Sequence, residues 1–331
     1  MLKKVFLLIA VSPLLFISCK KKGTDEITLV MAEVNPEDTV VGRMDTAFKE
    51  KVEELSGGKI KISLCFSGIL GDERQVMSLV MAPDSSIQLV RGPANLSSYS
   101  GGVAVKSGLI SIPYTFSNDE HFWRFANSRL AEQILNEPYE LGLGVKGLFY
   151  AQEGLRHYFS TRKIEGVSDL RGRKMRVSGA LLTALANSFG AEPVDVKFTD
   201  LYASMQLGIT EVAEQPITNY LTNSFHHVAP YMILDGHMLG AVSVMINAQC
   251  WNSLSTEQQE ILKEAGRYAS DYCRKIMDET NKEAIKILEA DGAVITEVGD
   301  ISEWQSACAQ MRREAAVIDP VLYKEILALA E

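Results

Sequence analysis

A long helical pattern near the C-terminus is the feature of this sequence that most restricts its fold. Helical periodicity holds from Ser255 to Gly292, with a capping-box pattern at Ser255 and Gln258 and a glycine stop at the end. A helix of this length spans about 50 Å, which exceeds the width of one ordinary domain. The sequence therefore predicts a helix that bridges two domains.

Short apolar runs alternate with helical segments along the rest of the chain. From Ile27 the strands read ITLVMA, KIKISLCF, SIQLV, GLISIP and VKGLFYA, and a helix from about Asn118 to Asn136 lies between the last two. A second series runs through RKMRV, PVDV and EVAEQP. This alternation is typical of βαβ units on a mostly parallel sheet. With 331 residues, enough for two domains, it predicts two α/β lobes that close about a hinge.

The composition excludes several classes of function. The formal net charge is −9, and a long acidic chain with few basic clusters binds nucleic acid poorly. The histidines and the cysteines show no metal-type spacing, and the G-x-S-x-G, H-E-x-x-H and Walker A patterns are absent. We therefore predict no enzyme activity, no cofactor, no metal site and no nucleic-acid partner.

One glycine-rich stretch imitates a nucleotide-binding motif. GLGVKG, residues 142–147, fits G-x-G-x-x-G, but a helical pattern precedes it and a strand pattern follows it. The dinucleotide fingerprint requires the opposite order, so that the pyrophosphate meets a helix N-terminus. We interpret the stretch as a helix stop.

The N-terminus reads as an export signal. Two lysines precede the apolar run 5–17, and the small residue Ser18 stands before Cys19. This arrangement resembles a bacterial lipobox, in which the chain is cut before a cysteine that is then diacylated. We predict a signal peptide over 1–18, a lipidated tether over 19–25, and a periplasmic or extracytoplasmic protein anchored in a membrane through Cys19. A plain signal or a short membrane anchor is the alternative, although the apolar run is too short to span a bilayer comfortably.

Several separate segments together resemble one known family. They are SGGKIKISLCFSGILGDERQVMSLV, DLRGRKMRV, GAEPVDVKFTDLYASMQLGITEVAEQP and NAQCWNSLSTEQQEILKEAG, in this order. The chain resembles the DctP-type solute-binding proteins of TRAP (tripartite ATP-independent periplasmic) transporters over nearly its whole mature length. The resemblance implies a two-lobed, periplasmic-binding-protein-like α/β fold with a hinge and a long bridging helix.

Within DLRGRKMRV, the signature arginine of that family corresponds to Arg176. Met175 and Val177 flank it in strand-like alternation, and a helical pattern follows at once. The resemblance implies that this arginine binds the carboxylate of the solute. The C-terminal end of a strand is where α/β folds bind ligands, and a guanidinium offers a carboxylate two parallel N–H donors. The alternative is an exposed arginine on a strand.

Other ligand-binding candidates also follow from the resemblance. Arg156 lies in a G-x-R-like element and is expected to support the ligand or the cleft. Phe198 matches an aromatic residue that often lines the cleft in relatives, and its alternative is a core position. Gln215 in EVAEQP stands where the family usually has an asparagine, and its amide still offers a donor and an acceptor.

A last group of candidates comes from positions where sialate-binding relatives carry polar groups. These candidates are Arg91, Asn95 and Glu33. Because the polar set is thinner than in those relatives, the sequence favours a simpler or partly apolar organic acid over a polyhydroxylated sugar acid.

Together these features predict a receptor that closes two lobes over an organic acid and delivers it to TRAP permease subunits. We place the first lobe at 26–153 plus 241–281 and the second at 154–240 plus 282–331. The resemblance also implies an accessory TPR lipoprotein for some relatives. The alternatives are a binding protein for an ATP-driven importer, a cell-envelope enzyme such as a hydrolase, and a purely structural lipoprotein.

Overall fold

The computed structural model describes residues 26–97 and 99–330, so the predicted signal peptide, the tether and Cys19 lie outside the described residues. Nine strands are described. They are β1 (Ile27–Ala32), β2 (Ile60–Cys65), β3 (Leu89–Pro93), β4 (Val145–Ser160), β5 (Lys174–Val177), β6 (Glu192–Asp195), β7 (Val212–Pro216), β8 (Tyr231–Asn247) and β9 (Val294–Glu297). Two of them, β4 and β8, are 16 and 17 residues long, which gives each a length of about 50 Å.

Helices connect and cover these strands. The α-helices are α1 (Val40–Leu55), α2 (Glu73–Met81), α3 (Asp119–Ala126), α4 (Arg129–Glu140), α5 (Ala180–Ser188), α6 (Leu201–Gln206), α7 (Ile217–Thr222), α8 (Ala248–Ser253), α9 (Thr256–Ala290), α10 (Ile301–Ala307), α11 (Ala309–Ala316) and α12 (Pro320–Ala328). Short 3₁₀ helices lie at Lys106–Ser111, Val167–Leu170, Phe198–Asp200 and Phe225–His227. Among the described residues, no helix combines the length and the apolar character needed to cross a bilayer.

All nine strands belong to one sheet with the order β2-β1-β3-β8-β4-β7-β5-β6, and β9 pairs with β8. The short strands pair in parallel at each end of the sheet, β2-β1-β3 on one side and β7-β5-β6 on the other. The long strands β4 and β8 pair antiparallel with each other and with β7 and β3. The sheet is therefore mixed and not mostly parallel as the sequence predicted, because two strands cross between the lobes in opposite directions.

Local patterns explain two smaller differences from the sequence-based assignment. The apolar run GLISIP forms a 3₁₀ helix over Lys106–Ser111 and not a strand. The single helix expected from about Asn118 to Asn136 is two helices, because the side chain of Ser128 caps the N-terminus of α4 by accepting from Ala131 N. The helix-stop interpretation of 142–147 is confirmed, since α4 ends at Glu140 and Gly142 adopts a φ of +69°.

The predicted bridging helix is confirmed as α9, which has 35 residues and a capping box formed by Ser255 and Gln258. Its N-terminal half packs in the core beneath β1, β2 and α1 through residues such as Leu262 and Cys273. Its last turns pack through Ala284 and Leu288 into a different core with α6 and α7. The helix therefore links the hydrophobic cores of the two lobes.

The C-terminal segment divides between the lobes differently from our expectation. Trp304 and Cys308 pack beside β5 and α5. Helix α12 instead returns to the first lobe, where Leu322, Tyr323 and Ile326 pack with the aromatic residues of α3. No local sequence signal distinguishes these two destinations, since a short amphipathic helix fits either core.

Candidate functional site

A cavity of about 350 Å³ lies between the two lobes, and residues of β4 and of its two neighbours in the sheet, β7 and β8, line part of it. The first lobe contributes Asn35, Asp72, Glu73, Arg74, Asn95 and Tyr99. The second lobe contributes Arg176, Asp195, Lys197, Phe198, Gln215 and Asn219. Four buried or nearly buried charged residues also line the cavity, namely Arg91, Glu153, Arg156 and Glu214, and we call these four the floor.

Arg176 lines this cavity near the end of β5. Its residue is only 5% exposed, and Nε donates to the carbonyl oxygen of Val196 at 2.9 Å. The next residues turn sharply, with Gly179 at a φ of +94°, and α5 begins at Ala180. The turn therefore holds the guanidinium at the edge of the sheet, next to the start of a helix.

The charge of Arg176 is not neutralised by a direct partner. In the part of the chain that the structure describes, no carboxylate oxygen lies within 4.0 Å of its guanidinium nitrogens, and they donate only to the carbonyl oxygen of Val196. Burial lowers the pKa of this arginine and outweighs the opposing charge of Glu214, so the charged form has lost water without gaining an anion in direct contact. A carboxylate entering the cavity would supply that anion.

Arg91 is equally buried but already has partners. Its Nε donates to Glu33 Oε2 at 2.5 Å, and its Nη2 donates to Glu33 Oε1 in a second, short bond. Its remaining nitrogen, Nη1, lies 3.5 Å from Glu153 Oε1. The guanidinium is therefore held between two carboxylates.

Arg156 repeats this arrangement on the neighbouring strand. Its Nε and Nη2 both donate to the carboxylate of Glu214, the second at 2.9 Å, and its Nη1 lies 3.5 Å from Glu153 Oε2. Burial alone would raise the pKa of Glu214, but the charge of Arg156, its hydrogen bonds to the carboxylate and the nearby His237 lower it to about 2. Glu153 therefore stands between two arginines, each of which is paired with a further glutamate.

A histidine extends this network into the second lobe. His237 Nδ1 lies 2.7 Å from Asp235 Oδ2, and Nε2 lies 3.6 Å from Glu214 Oε2. Burial would lower the pKa of His237, but the charge of Asp235, the hydrogen bond to it and the nearby Glu214 carboxylate raise it to about 9. The floor is therefore fixed by charged contacts on both of its sides.

The other residues singled out in the sequence also lie at or near the cavity. Gln215 is buried on β7 and lines the wall, and Asn95 lines it while its Oδ1 accepts from Ser97 N at 3.1 Å. Phe198 lines the cavity and also packs edge-to-face on Phe225, with ring centroids 6.1 Å apart. Phe198 therefore satisfies both the cleft and the core interpretations.

Glu33 does not lie where the sequence led us to expect. It is fully buried behind Arg91, and the cavity wall does not include it. Both of its carboxylate oxygens are used by Arg91, and Oε1 also accepts from Asn35 N at 2.6 Å. Its position supports Arg91 rather than a ligand.

Sequence reasoning missed several residues of the wall. Glu153 and Glu214 each lie within three residues of a predicted site residue, but their pairing with Arg91 and Arg156 depends on strands that are distant in the chain. Asn35, Tyr99 and Asn219 were also missed. The available signal for the two glutamates was an acidic residue inside each of two strand patterns, QEGLR and EVAEQP, that already held a site candidate.

Ion pairs join the two lobes at the cavity mouth. Lys197 Nζ lies 2.5 Å from Asp72 Oδ2, and Arg74 Nη2 lies 3.4 Å from Asp195 Oδ1. Asp72 and Arg74 belong to the start of α2 in the first lobe, whereas Asp195 and Lys197 end and follow β6 in the second. These contacts require the lobes to be close together. Among the described residues, no group of three or more His, Cys, Asp or Glu side chains is arranged to hold a metal ion.

Comparison with known proteins gives a consistent result over most of the chain. Residues 31–317 match the profile of a family described as "Bacterial extracellular solute-binding protein, family 7", or DctP. A solute-binding protein of Roseobacter denitrificans is 25% identical over 283 residues, covering 85% of this chain and 85% of its own. The 2,3-diketo-L-gulonate-binding periplasmic protein of Escherichia coli is 25% identical over 275 residues, covering 82% of this chain and 81% of its own.

The fold is likewise shared with solved structures. A TRAP periplasmic solute-binding protein from Pseudomonas putida F1, solved with bound D-glucuronate, superposes with a TM-score of 0.85 at 22% sequence identity. The superposition covers 91% of this chain and 96% of the other. The two-lobed α/β architecture predicted from the sequence is therefore confirmed.

Proposed function

This chain belongs to family 7 of the bacterial extracellular solute-binding proteins, and we propose that it binds an organic acid between its lobes and delivers it to a TRAP permease. One observation carries the choice of an acid: Arg176 faces the cavity as a buried cation that no carboxylate of the described residues neutralises. A planar guanidinium in this state binds a carboxylate through two parallel N–H donors.

The relatives support an acidic ligand that also carries hydroxyl groups. The Escherichia coli relative is named for 2,3-diketo-L-gulonate, and the Pseudomonas putida structure holds D-glucuronate. In this chain Asn35, Asn95, Tyr99 and Asn219 line the cavity together with Gln215, and such side chains pair with hydroxyl groups. This set is richer than the sequence indicated, so we infer a hydroxylated acid instead of the simpler or partly apolar acid first expected.

Binding would act through closure of the lobes. We assign the first lobe to 26–153 plus 241–281 and the second to 154–240 plus 282–316, and we return α12 to the first lobe because of its packing. A ligand held by Arg176 on one side and by Asn35 or Asn95 on the other contacts both lobes and so favours the closed state. The ion pairs at the mouth, Arg74 with Asp195 and Lys197 with Asp72, also stabilise the closed state.

The remaining classes of function have less support. An ATP-driven importer would use a receptor of the same general shape, but the DctP profile and the TRAP receptor from Pseudomonas putida support the TRAP type. A cell-envelope enzyme has less support because the matching family and the relatives are solute-binding proteins, and a purely structural lipoprotein would not explain a desolvated arginine in an interlobe cavity. An accessory TPR lipoprotein is a further partner that we propose only from the family resemblance.

The direct test is calorimetric titration with an acid and its neutral counterpart. We expect D-glucuronate to bind at least about a hundredfold more tightly than D-glucose, because two charge-assisted hydrogen bonds of about 1.5–3 kcal/mol each depend on the carboxylate. A panel of other sugar acids, each with its uncharged sugar, extends the test if D-glucuronate itself is a poor ligand. Neutral sugars that bind as tightly as their acids would contradict the proposal.

We also propose that the protein reaches the extracytoplasmic side through its signal peptide and is anchored there by a lipid on Cys19. Cys19→Ser should abolish incorporation of a labelled fatty acid, because the serine hydroxyl cannot replace the thiol that is acylated. The matched control is Cys65→Ser, which changes a cysteine inside the described fold and should leave labelling intact. Equal labelling of Cys19→Ser and the parent would exclude the lipoprotein assignment.

A further inference from the structure

Two arginines of the floor are already paired with carboxylates of the protein. Nε and Nη2 of Arg91 donate to Glu33, and Nε and Nη2 of Arg156 donate to Glu214. The third nitrogen of each faces one carboxylate, that of Glu153, at 3.5 Å. All the guanidinium nitrogens of Arg91 and Arg156 therefore face carboxylates of the protein, and neither arginine offers a ligand an unpaired N–H edge.

The backbone of β4 is bent so that Glu153 reaches this position. In the pairing of β4 with β8, Gln152 lies opposite Ala241 and Leu155 opposite Leu239, so β4 has one extra residue at this point. This is a β-bulge, a feature that redirects side chains, and it includes Gly154 at a φ of +92°. An ideal Cβ at Gly154 would also lie 3.3 Å from Asn281 Nδ2, so both conformation and space favour glycine.

Glu153 also has an anchor in the first lobe. Asn35 Nδ2 donates to Glu153 Oε1 at 3.2 Å, and the glutamate is 5% exposed on the cavity wall. Burial raises the pKa of Glu153, while Arg91 and Arg156 oppose that change by favouring the charged form. Its carboxylate therefore occupies the place between two guanidiniums that a carboxylate of a ligand would otherwise take.

We propose that Glu153 is a specificity-determining residue that makes this receptor select acids with one carboxylate and reject those with two. The inference rests on the proposed function, since it assumes that the first carboxylate binds Arg176. A second carboxylate on the ligand would meet Glu153 and Glu214 instead of an available arginine, and like charges brought together in a buried site are strongly unfavourable. A hydroxyl group at the same place can donate to either glutamate.

The test compares galactonate with galactarate, which differ only in that galactarate has a carboxylate where galactonate has a terminal hydroxymethyl group. Calorimetric titration of the parent protein should show galactonate binding at least about tenfold more tightly. The same order should hold for D-glucuronate against D-glucarate and for succinamate against succinate. A diacid that binds as tightly as its monoacid would overturn the inference and leave the proposed function standing, whereas neutral sugars that outbind all the acids would overturn both.

The variant Glu153→Gln keeps the shape of the side chain and removes its charge, which frees the third nitrogen of Arg91 and Arg156. We expect the ratio of galactonate to galactarate affinity to fall at least about tenfold. Glu73→Gln is the matched comparison, because Glu73 also lines the cavity but no cation of the described residues lies within 4.0 Å of its carboxylate. It should change the affinities for both acids together. A ratio that is unchanged in Glu153→Gln, or that falls equally in Glu73→Gln, would overturn the inference, and the parent comparison remains decisive if Glu153→Gln does not fold.

Discussion

Arg176→Ala should weaken binding of the acid ligand by at least about a hundredfold. The substitution removes both parallel N–H donors, each worth about 1.5–3 kcal/mol, and leaves the ligand carboxylate desolvated without its main partner. Arg176→Lys keeps the charge but cannot make two in-plane bonds to one carboxylate, so it should cost roughly ten- to a hundredfold. Calorimetric titration with D-glucuronate or the best acid of the panel measures both effects.

The control is Arg173→Ala, three residues earlier in the same motif. Arg173 lies outside the cavity wall and donates to the carbonyl oxygens of Arg162 and Lys163 at 2.8 and 3.0 Å. Its removal should leave affinity nearly unchanged. If instead Arg173→Ala abolishes binding and Arg176→Ala binds like the parent, the carboxylate has been assigned to the wrong arginine.

The same Arg176→Ala protein should be no less stable than the parent in the absence of ligand. A buried charge without an anionic partner contributes a desolvation cost to the folded state, and alanine removes that cost. The substitution also removes the hydrogen bond from Nε to the carbonyl oxygen of Val196, which is worth about 1.5–3 kcal/mol at most. Thermal melts of the two proteins without ligand test whether this arginine serves binding rather than folding.

The position of Arg176 could be predicted because its signals are local. Strand alternation around it, the helix that follows and the turn between them all lie within a short stretch, and the structure places Lys174–Val177 and Ala180–Ser188 accordingly. The long helix could be predicted equally well, since its capping box and its periodicity both lie in one continuous segment. Features that depend on residues close together in the chain could therefore be predicted from the sequence.

The roles of the other two arginines could not be predicted in this way. Arg91 and Glu33 are 58 positions apart, and they meet only because β1 and β3 are adjacent in the sheet. Arg156 meets Glu214 through the antiparallel pairing of β4 with β7, which was not expected in a mostly parallel sheet. A sequence pattern identifies a strand but not the carboxylate that will lie beside it, so paired and unpaired arginines looked alike.

The packing of segments with a weak hydrophobic pattern could not be predicted from the sequence either. GLISIP is a short apolar run that fits a buried strand or a buried helical turn, and periodicity does not separate the two. Helix α12 packs in the first lobe through a few apolar residues, and His121 Nε2 lies 2.8 Å from the carbonyl oxygen of Ile326. Contacts of this kind are decided by the whole fold.

Arg91→Ala should have the opposite consequences to Arg176→Ala, although both arginines are almost fully buried. Removing Arg91 leaves Glu33 without its two hydrogen bonds in a site that is 1% exposed, and it also removes one of the two cations beside Glu153. Breaking a buried ion pair by deleting one partner typically costs about 3–5 kcal/mol. We expect a loss of this size in the free energy of unfolding measured with urea, in the protein without ligand.

Two further variants separate this explanation from general damage to the core. Arg74→Ala removes an arginine from the exposed ion pair with Asp195 and should cost no more than about 1 kcal/mol. The double substitution Arg91→Met with Glu33→Met removes both charges and retains most of the volume, so it should recover much of the stability lost in Arg91→Ala, because the buried glutamate no longer lacks a partner. A double variant that is less stable than Arg91→Ala would show that packing, not the uncompensated carboxylate, causes the loss. Recovery would instead identify Arg91 as the partner that holds Glu33 and Glu153 in place, which leaves Arg176 as the buried arginine of this cavity whose charge is available to the ligand.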